Sequence, residues 1–551
     1  MLEKIVQTYS NNMSLVDITK HMQRAKRLTM DKMIRAIAEE CIHPFIAINS
    51  TAQTIELYTA QICVIYDKTT YHINLNDEQI DNPVTFLKWC QSQGNESYDY
   101  MSFIKEIENH LINQSLSFIH CADKPKSHHA LLNGEQWVIT GHNIHPCAKT
   151  KLGMSFEDVM QYAPEYNQVF ELNWILVKKS LLFNNLEETF IQQLKAFSGY
   201  NKSIDDVYYI IPVHPYQYQH VIAQVYQEEI AAKDIVMLNY KGGAVKSTSS
   251  FRTVCPLEKH YPILKLPVHA QMTSTVRSIS NNSVINSKKV SNYFRIIYEQ
   301  DDTLRTLSTP IMEFGGMTYQ HSNKQKQRNL SFILRENSTR KFEQYSDVYA
   351  ATCLFEQDET GEKIYKQHIQ QSQLRPEEWF KCYTSLLLST AIPLMTKYGI
   401  GLEAHMQNIS VAFIHGVPKH IYFKDFGGLR IDTSRTLGKL SLTQGLTSTS
   451  AAGMHEKLLN TLISNHISTL ISHMVKDYHF KADELWTKIA QQIHAIFNTF
   501  DQSLPGIQKD YEQFTSHHIK QKALMTMRLS TLNEDIYIEK ENPLYAQFVD
   551  V

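Results

Sequence analysis

The chain lacks a basic excess. Its 551 residues carry 54 Lys and Arg against 56 Asp and Glu, a formal net charge of −2, so the electrostatic footprint of a nucleic-acid binder is missing. It also lacks a long apolar run. The most apolar helical stretch, Leu386 to Met395, is interrupted by Ser389, Thr390 and Pro393 and falls short of the ~18 to 20 residues that cross a bilayer. A buried core helix is expected there, and no membrane partner. The first twelve residues, MLEKIVQTYSNN, hold acidic and polar groups where a secretory leader needs an apolar block; the expected compartment is the cytoplasm. No C-x-x-C pair occurs among the eight cysteines, a distribution that suits reduced structural thiols rather than a disulfide framework or zinc ribbon. None follows Cys382, so a C-terminal cysteine-ligated iron–sulfur cluster has no ligands. Internal repeats and low-complexity tracts are absent too.

What is present is an ordinary globular composition, 43% hydrophobic and 20% charged, in a chain longer than one core supports, so about three domains are expected. Periodicity predicts helices over Met22 to Ile42 and Val84 to Cys90, with strands of a small sheet between Thr54 and Asn74. From about 120 to 310 the pattern reads as loop-rich, with short strands at Val207 to Val213 and Ile263 to Val268. Ser322 to Asn329 reads as a hinge or exposed loop. Beyond Glu377 the pattern is helical, broken by strand-like Ile409 to Phe413 and His420 to Phe423, and helical again from Gly453 to Phe500.

The chemistry gathers in two places. In KSTSSFRT, Lys246 to Thr253, the hydroxyls of Ser247, Ser249, Ser250 and Thr253 and the fork of Arg252 can meet phosphate oxygens, and Gly242 and Gly243 just before them let the backbone turn closely. Alone, such a run more often marks caps and turns, and the Gly-x4-Gly-Lys phosphate loop is absent. Lys265 lies in an apolar run, LKLPV, where an ammonium is costly without a partner; Arg277 follows in TSTVR. Either could instead be a surface cation with its stem along apolar surface. Far downstream, EAHMQN and KDFGG offer Glu403, His405, Gln407, Asn408 and Asp425. One hairpin between Asn408 and Asp425 would set an amide oxygen beside a carboxylate, hard ligands suited to Mg²⁺ on nucleotide phosphates. Together the two halves read as a site for ATP and Mg²⁺. GHNIHPCAKTKLG presents His142, His145, Lys149 and Lys151, of which His145 and Lys149 could bind an anionic substrate or poise a proton transfer. Zinc is disfavoured there because H-E-x-x-H is absent. His214 in IPVHPYQ reads as a structural histidine or one that orients its neighbours.

These segments resemble one family, the NRPS-independent siderophore synthetases or IucA/IucC-like enzymes. The likeness runs through G-H-x-x-H-P-x-x-K at 141 to 149, P-V-H-P-x-Q at 212 to 217, S-S-x-R-T at 249 to 253, K-L-P at 265 to 267, T-S-x-x-R at 273 to 277, E-A-H-x-Q-N at 403 to 408 and K-D-F-G-G at 424 to 428. The resemblance implies an α+β, three-domain cupped-hand fold with antiparallel sheets and a helical C-terminal part: thumb 1–130, fingers 131–320, palm 321–551. It implies adenylation of a carboxylate of citrate or a related polycarboxylate, then attack by an amine, hydroxylamine or alcohol, in a homodimer. Ser249, Ser250, Arg252, Thr253, Lys265, His405 and Gln407 would hold ATP, and Glu403, Asn408 and Asp425 would hold Mg²⁺. His145, Lys149, Thr273 and Arg277 would meet the carboxylate, with His145, Lys265, Arg277 and His405 as catalytic groups. Lys151 and Lys424 stand where many relatives carry Arg and lose its fork. Two other readings stay open: a small-molecule kinase-like phosphotransferase, suggested by Asn408 and the DFG at 425 to 427, and a non-catalytic ATP-binding protein. The acceptor pocket has no motif, and Lys522 and Arg528 are its candidates.

Overall fold

The computed structural model describes residues 13–51, 53–75, 78–94, 97–121, 129–273, 275–358, 360–443, 445–448, 450–530 and 534–548. The leader reading of residues 1–12 and Ser274 of the T-S-x-x-R motif lie outside them. The fold is α+β, with three large apolar cores and two small ones among the described residues.

The first core forms between a long helix and a small sheet. Ser14 caps helix Leu15–Glu40 by accepting from the Asp17 amide, which satisfies one of its orphan donors. Five strands from Ala47–Ser50 to Glu78–Ile80 pair antiparallel in chain order. Strict alternation in Thr54–Tyr58 turns Ile55 and Leu57 inward, against Met30, Met33 and Ile37 of the helix and Phe103 and Ile107 of helix Tyr100–His120. These elements match the expected helix–sheet–helix order.

The stretch from 120 to 310 corrects the loop-rich reading, for it holds most of an eight-stranded antiparallel sheet. Its order is Leu182–Asn184, Glu313–Tyr319, Ser331–Arg335, Ile263–Lys265, Thr253–Pro256, Ile235–Ser247, Phe170–Lys178, Tyr208–Val213. The long strand Ile235–Ser247 is irregular, with register shifts at 237/241 and 242/244, and these break the period that would have shown a strand. Gly242 and Gly243 sit at the second shift, where a Cβ would meet the Ser198 carbonyl at 2.2 Å and the Phe197 ring at 2.8 Å. They allow sheet and helix to pack and do not turn toward the site. Because strand Ser331–Arg335 belongs to this sheet, the expected division at 320 falls inside it. The expected loop at Ser322 to Asn329 contains a short helix, Lys324–Asn329, capped by Asn323, and its Asn329 is buried against Gln217 and His269.

The third core surrounds helix Pro376–Tyr398, which starts with Pro at its first turn, contains Pro393 and ends at Gly399 with φ +68°. The expected core helix at Leu386 to Met395 is this element. No described helix is long and apolar enough to cross a membrane. A four-stranded sheet packs on the helix, and its central hairpin, Ile409–Ile414 with Val417–Phe423, lies where strands were expected. The helical tail follows as Ala452–Leu458, a π-helix Leu459–Ile467, Ser468–Tyr478 and Ala482–Asn498.

Candidate active site

One cleft of about 460 Å³ collects thirteen of the fourteen anticipated site residues: Lys149, Ser249, Ser250, Arg252, Thr253, Lys265, Thr273, Arg277, Glu403, His405, Gln407, Asn408 and Asp425. Its wall is the end of the large sheet. The turn Thr248 to Thr253 joins two of its strands, closing with the Thr253 amide on the Ser250 carbonyl. Thr253 pairs with Lys265 and Lys265 with Ile333; the two-residue period then sets Arg335 on the same face. Arg277 ends a strand of a separate three-stranded sheet that includes Lys151–Leu152, and Thr273 lies in a turn just after another of its strands. Across the chain, the hairpin from 409 to 423 brings its two ends together, and the Lys424 amide donates to the Asn408 carbonyl at 3.0 Å.

Charge in the cleft is unevenly matched. Lys265 Nζ lies 2.5 Å from Asp425 Oδ1, and Arg335 lies 3.9 Å from Asp425 Oδ2 and 3.1 Å from Glu313. Lys457 holds Glu403 at 3.1 Å. Arg252 donates to the Ser278 carbonyl at 2.6 Å, yet among the described residues neither Arg252 nor Arg277 has a carboxylate within ion-pair distance. Burial, then Arg277 and the other nearby guanidiniums, push Arg252 down to about 10, with Asp425 opposing; burial also lowers Lys265 and Arg277. Burial works against ionising Asp425, but Lys265, Arg335 and Arg252 outweigh it and hold its carboxyl well below the usual range. Glu403 is likewise held down, by Lys457 and His405 against burial. Burial lowers both His405 and His142, with Glu403 and Asp425 opposing it at His405.

Two residues here hold the left-handed backbone that β-branched or bulky side chains avoid, Asp425 at φ +68° and Thr273 at φ +57°. Strain of this kind costs about 1 to 3 kcal/mol and persists where surroundings over-determine it. Gly428 has a separate reason to be glycine, since a Cβ there would come within 1.9 Å of Glu403 Oε2. The donor set Glu403, Asp425 and Asn408 fits a hard cation. The Asn408 NH₂ is spent on Glu403, at 3.2 Å to its carbonyl and 3.3 Å to Oε2, which leaves the amide oxygen as the end that can ligate.

Several expectations shift. His145 does not line the cleft. It is 1% exposed, its Nδ1 accepts from the Cys147 amide at 2.9 Å, and burial and Arg528 take it down to about 3; His142 lines the cleft in its place. Lys149 borders the cleft, but its ammonium donates to the Val138 carbonyl and to Glu165 at 2.9 Å, so its charge is already matched. Ser247 donates to the Tyr162 carbonyl at 2.6 Å and is structural. His214, fully buried, caps the next turn by accepting from Tyr216 at 3.2 Å. Arg528 pairs with Glu106 and Lys522 with Asp535 at 2.8 Å. Sequence reasoning missed Arg335, whose signal was an arginine closing the apolar run SFIL. It also missed Glu135, which accepts from the amide and hydroxyl of Ser249 at 2.9 and 2.8 Å and pairs with Lys424.

With this geometry in hand, the likenesses are informative. Residues 130–356 match the IucA / IucC family. Residues 377–536 match a family described as Ferric iron reductase FhuF-like transporter, and Cys382 is the one cysteine of that span, so a four-cysteine cluster would lack three of its ligands there. The chain is 26% identical over 438 residues to "Staphyloferrin A synthase" of Staphylococcus aureus, 75% of this chain and 73% of that protein. It is 26% identical over 477 residues to "D-ornithine--citrate ligase" of the same organism, 76% of this chain and 71% of that protein. The petrobactin biosynthesis protein AsbB from Bacillus anthracis str. Sterne superposes with a TM-score of 0.83 at 19% identity, covering 98% of this chain and 99% of that one. The motif string, the antiparallel α+β fold and these matches point the same way, to the IucA / IucC family that residues 130–356 match.

Proposed function

We propose that the protein is an ATP-dependent ligase that adenylates a carboxylate of citrate or a related polycarboxylate and transfers the acyl group to an amine in siderophore synthesis. The observation that carries this reading is the pair of guanidiniums, Arg252 and Arg277, without a carboxylate partner among the described residues, in the same cleft as Glu403, Asn408 and Asp425. The first step brings two anions together, the carboxylate and the α-phosphate. Unit charges 4 Å apart repel by ~4 kcal/mol at an effective dielectric constant of 20. Preorganised cations offset that repulsion without reorganising during reaction.

In this reading Ser250, Arg252, Thr253 and Lys265 hold the triphosphate, and a ring N–H of His405 donates to it. Arg277 and Thr273 orient the carboxylate. Glu403, Asp425 and the Asn408 oxygen would hold Mg²⁺, which when bound neutralises phosphate charge. The carboxylate oxygen attacks the α-phosphorus and pyrophosphate leaves. The amine then attacks the acyl carbon, the bond to AMP breaks and an amide forms. The names of the relatives, a citrate ligase and a siderophore synthase, support the substrate class.

The test is the nucleotide product. Incubated with ATP, Mg²⁺, citrate and an amine, the enzyme is expected to release AMP and pyrophosphate only when a polycarboxylate is present. Release of ADP would assign it to the phosphotransferases instead.

A further inference from the structure

Glu135 stands one side chain behind the wall of the cleft. It is 4% exposed and does not line the cleft, whereas Ser249, Gln407 and Lys424 do. Its helix, Ala130–Glu135, lies so close to strand Asp347–Ala350 that a Cβ on Gly134 would meet the Val348 carbonyl at 1.8 Å. That strand pairs with Ile409–Ile414, the first arm of the hairpin between Asn408 and Asp425. Glu135 is therefore carried by the half of the site that offers Asn408 and Asp425, although it precedes Lys424 by 289 positions in the chain.

From there its carboxylate reaches the other half. Oε2 accepts from both the amide and the hydroxyl of Ser249, at 2.9 and 2.8 Å, and Oε1 pairs with Lys424, the neighbour of Asp425. Gln407 Nε2 donates to the Ser249 carbonyl at 3.1 Å. The amide, hydroxyl and carbonyl of Ser249 are thus all engaged, and the Ser250 to Thr253 turn begins at the next residue. Burial favours the neutral acid at Glu135, but Lys424 and Ser249 outweigh it and hold the carboxyl below the usual glutamate range. A buried ion pair is weak evidence of stability, since apolar side chains of similar volume often hold such a seam as well. What they lack is a place for two donors of one serine and the cation of a lysine on the same group.

On the ATP site proposed above, we infer that Glu135 is a positioning residue, which sets the phosphate-binding turn against the metal-binding hairpin. Ser249 and Gln407 then anchor the turn and are not ligands of the nucleotide. With the Ser249 hydroxyl spent on Glu135, the turn offers Ser250, Arg252 and Thr253 to the phosphates. Without Glu135 these ligands remain, but the turn is free to shift against Glu403, Asn408 and Asp425. A nucleotide that spans both halves must then order them as it binds, and its affinity falls.

The experiment measures binding of ATP with Mg²⁺, in the absence of any polycarboxylate, to the full chain by isothermal titration calorimetry, with the thermal midpoint of each variant alongside. Glu135→Met is expected to weaken ATP about tenfold, as for lost hydrogen bonds to a charged group, and Glu135→Gln, which keeps an acceptor for Ser249, about threefold. Ser249→Ala is expected to weaken ATP about threefold in the wild-type background and less than twofold beside Glu135→Met, because its partner is already gone. A serine that touched the nucleotide itself would cost the same factor in both backgrounds. The inference is overturned by that equal cost, or by ATP affinity within twofold of wild type in folded Glu135→Met whatever its thermal midpoint. Should Glu135→Met not fold, the same twofold limit applied to Glu135→Gln decides. Either result leaves the ligase reading standing if wild type releases AMP only with a polycarboxylate. Wild type that binds ATP but releases ADP removes the ligase reading while the binding series still judges Glu135, and wild type that binds no ATP removes both.

Discussion

Replacing Arg252 by methionine separates binding from folding. The Arg252 side chain is half-buried and pushed down from 12.5 to about 10; at ~1.4 kcal/mol per pH unit, holding it charged costs the folded chain on the order of 3 kcal/mol. Methionine fills similar volume and removes that cost. The variant also loses the 2.6 Å hydrogen bond to the Ser278 carbonyl, about 1 to 1.5 kcal/mol, so the net expectation is a gain of about 2 kcal/mol. With an unfolding entropy near 2.1 cal/mol/K per residue over 551 residues, the thermal midpoint should rise by about 1 to 2 °C. Turnover should move the other way and fall on the order of 10²- to 10³-fold, as when one preorganised charge contact is removed. Differential scanning fluorimetry gives the first number and citrate-dependent hydroxamate formation the second. Added ATP and Mg²⁺ should raise the midpoint of wild type more than that of the variant. If the variant melts lower and loses activity only in proportion to its unfolded fraction, Arg252 is a structural residue and the argument from its unmatched charge is wrong.

Three further outcomes follow from the same geometry. Gly428→Ala puts a methyl against Glu403 Oε2 and is expected to raise the Mg²⁺ concentration for half-maximal activity at least tenfold, measured by Mg²⁺ titration at fixed ATP; an unchanged titration curve would remove Glu403 from the metal set. Lys149→Met leaves the buried Glu165 with Lys151 at 3.5 Å as its remaining ion-pair partner and should cost about 3 kcal/mol in urea denaturation, whereas a raised KM for citrate at full stability would return Lys149 to the substrate site. His214, at about 3 in the folded chain through burial, takes up its proton on unfolding near 6.5. The unfolded state therefore binds the extra proton between pH 3 and 6.5, and stability from this group is present above that window and lost as pH falls. Between pH 6.5 and 5 the loss should be on the order of 1.5 kcal/mol, and His214→Asn, which keeps an acceptor for the Tyr216 amide, should lose less over that interval; equal losses in both proteins would show that the histidine does not titrate on unfolding.

Residues whose chemistry clashes with their local setting were legible in the sequence. Lys265 inside an apolar strand had to find a partner, and it finds Asp425. The seventeen positions from Asn408 to Asp425 had to be a hairpin if both served one ion, and they are. What stayed hidden is non-local. Nothing near Lys149 announces that Glu165 lies under it, and nothing near Ser249 announces Glu135. His142 and His145 differ by one turn of a loop, and only tertiary packing decides which faces the cleft. Nothing near 320 announces the strand that follows, since pairing of 331–335 with 263–265 is set across some seventy residues.

The core under the first sheet has a last requirement, for it includes Met525 and Leu529 beside Met30 and Leu57. During synthesis the first ninety residues wait for those side chains while more than four hundred others are added. At ~5 to 20 residues per second that interval is roughly 20 to 90 seconds, in which the edge of an early-made hydrophobic surface stays open on the ribosome. The protein should therefore depend on chaperone capture early in translation, and a gene truncated before Met525 should yield aggregate rather than a smaller soluble enzyme.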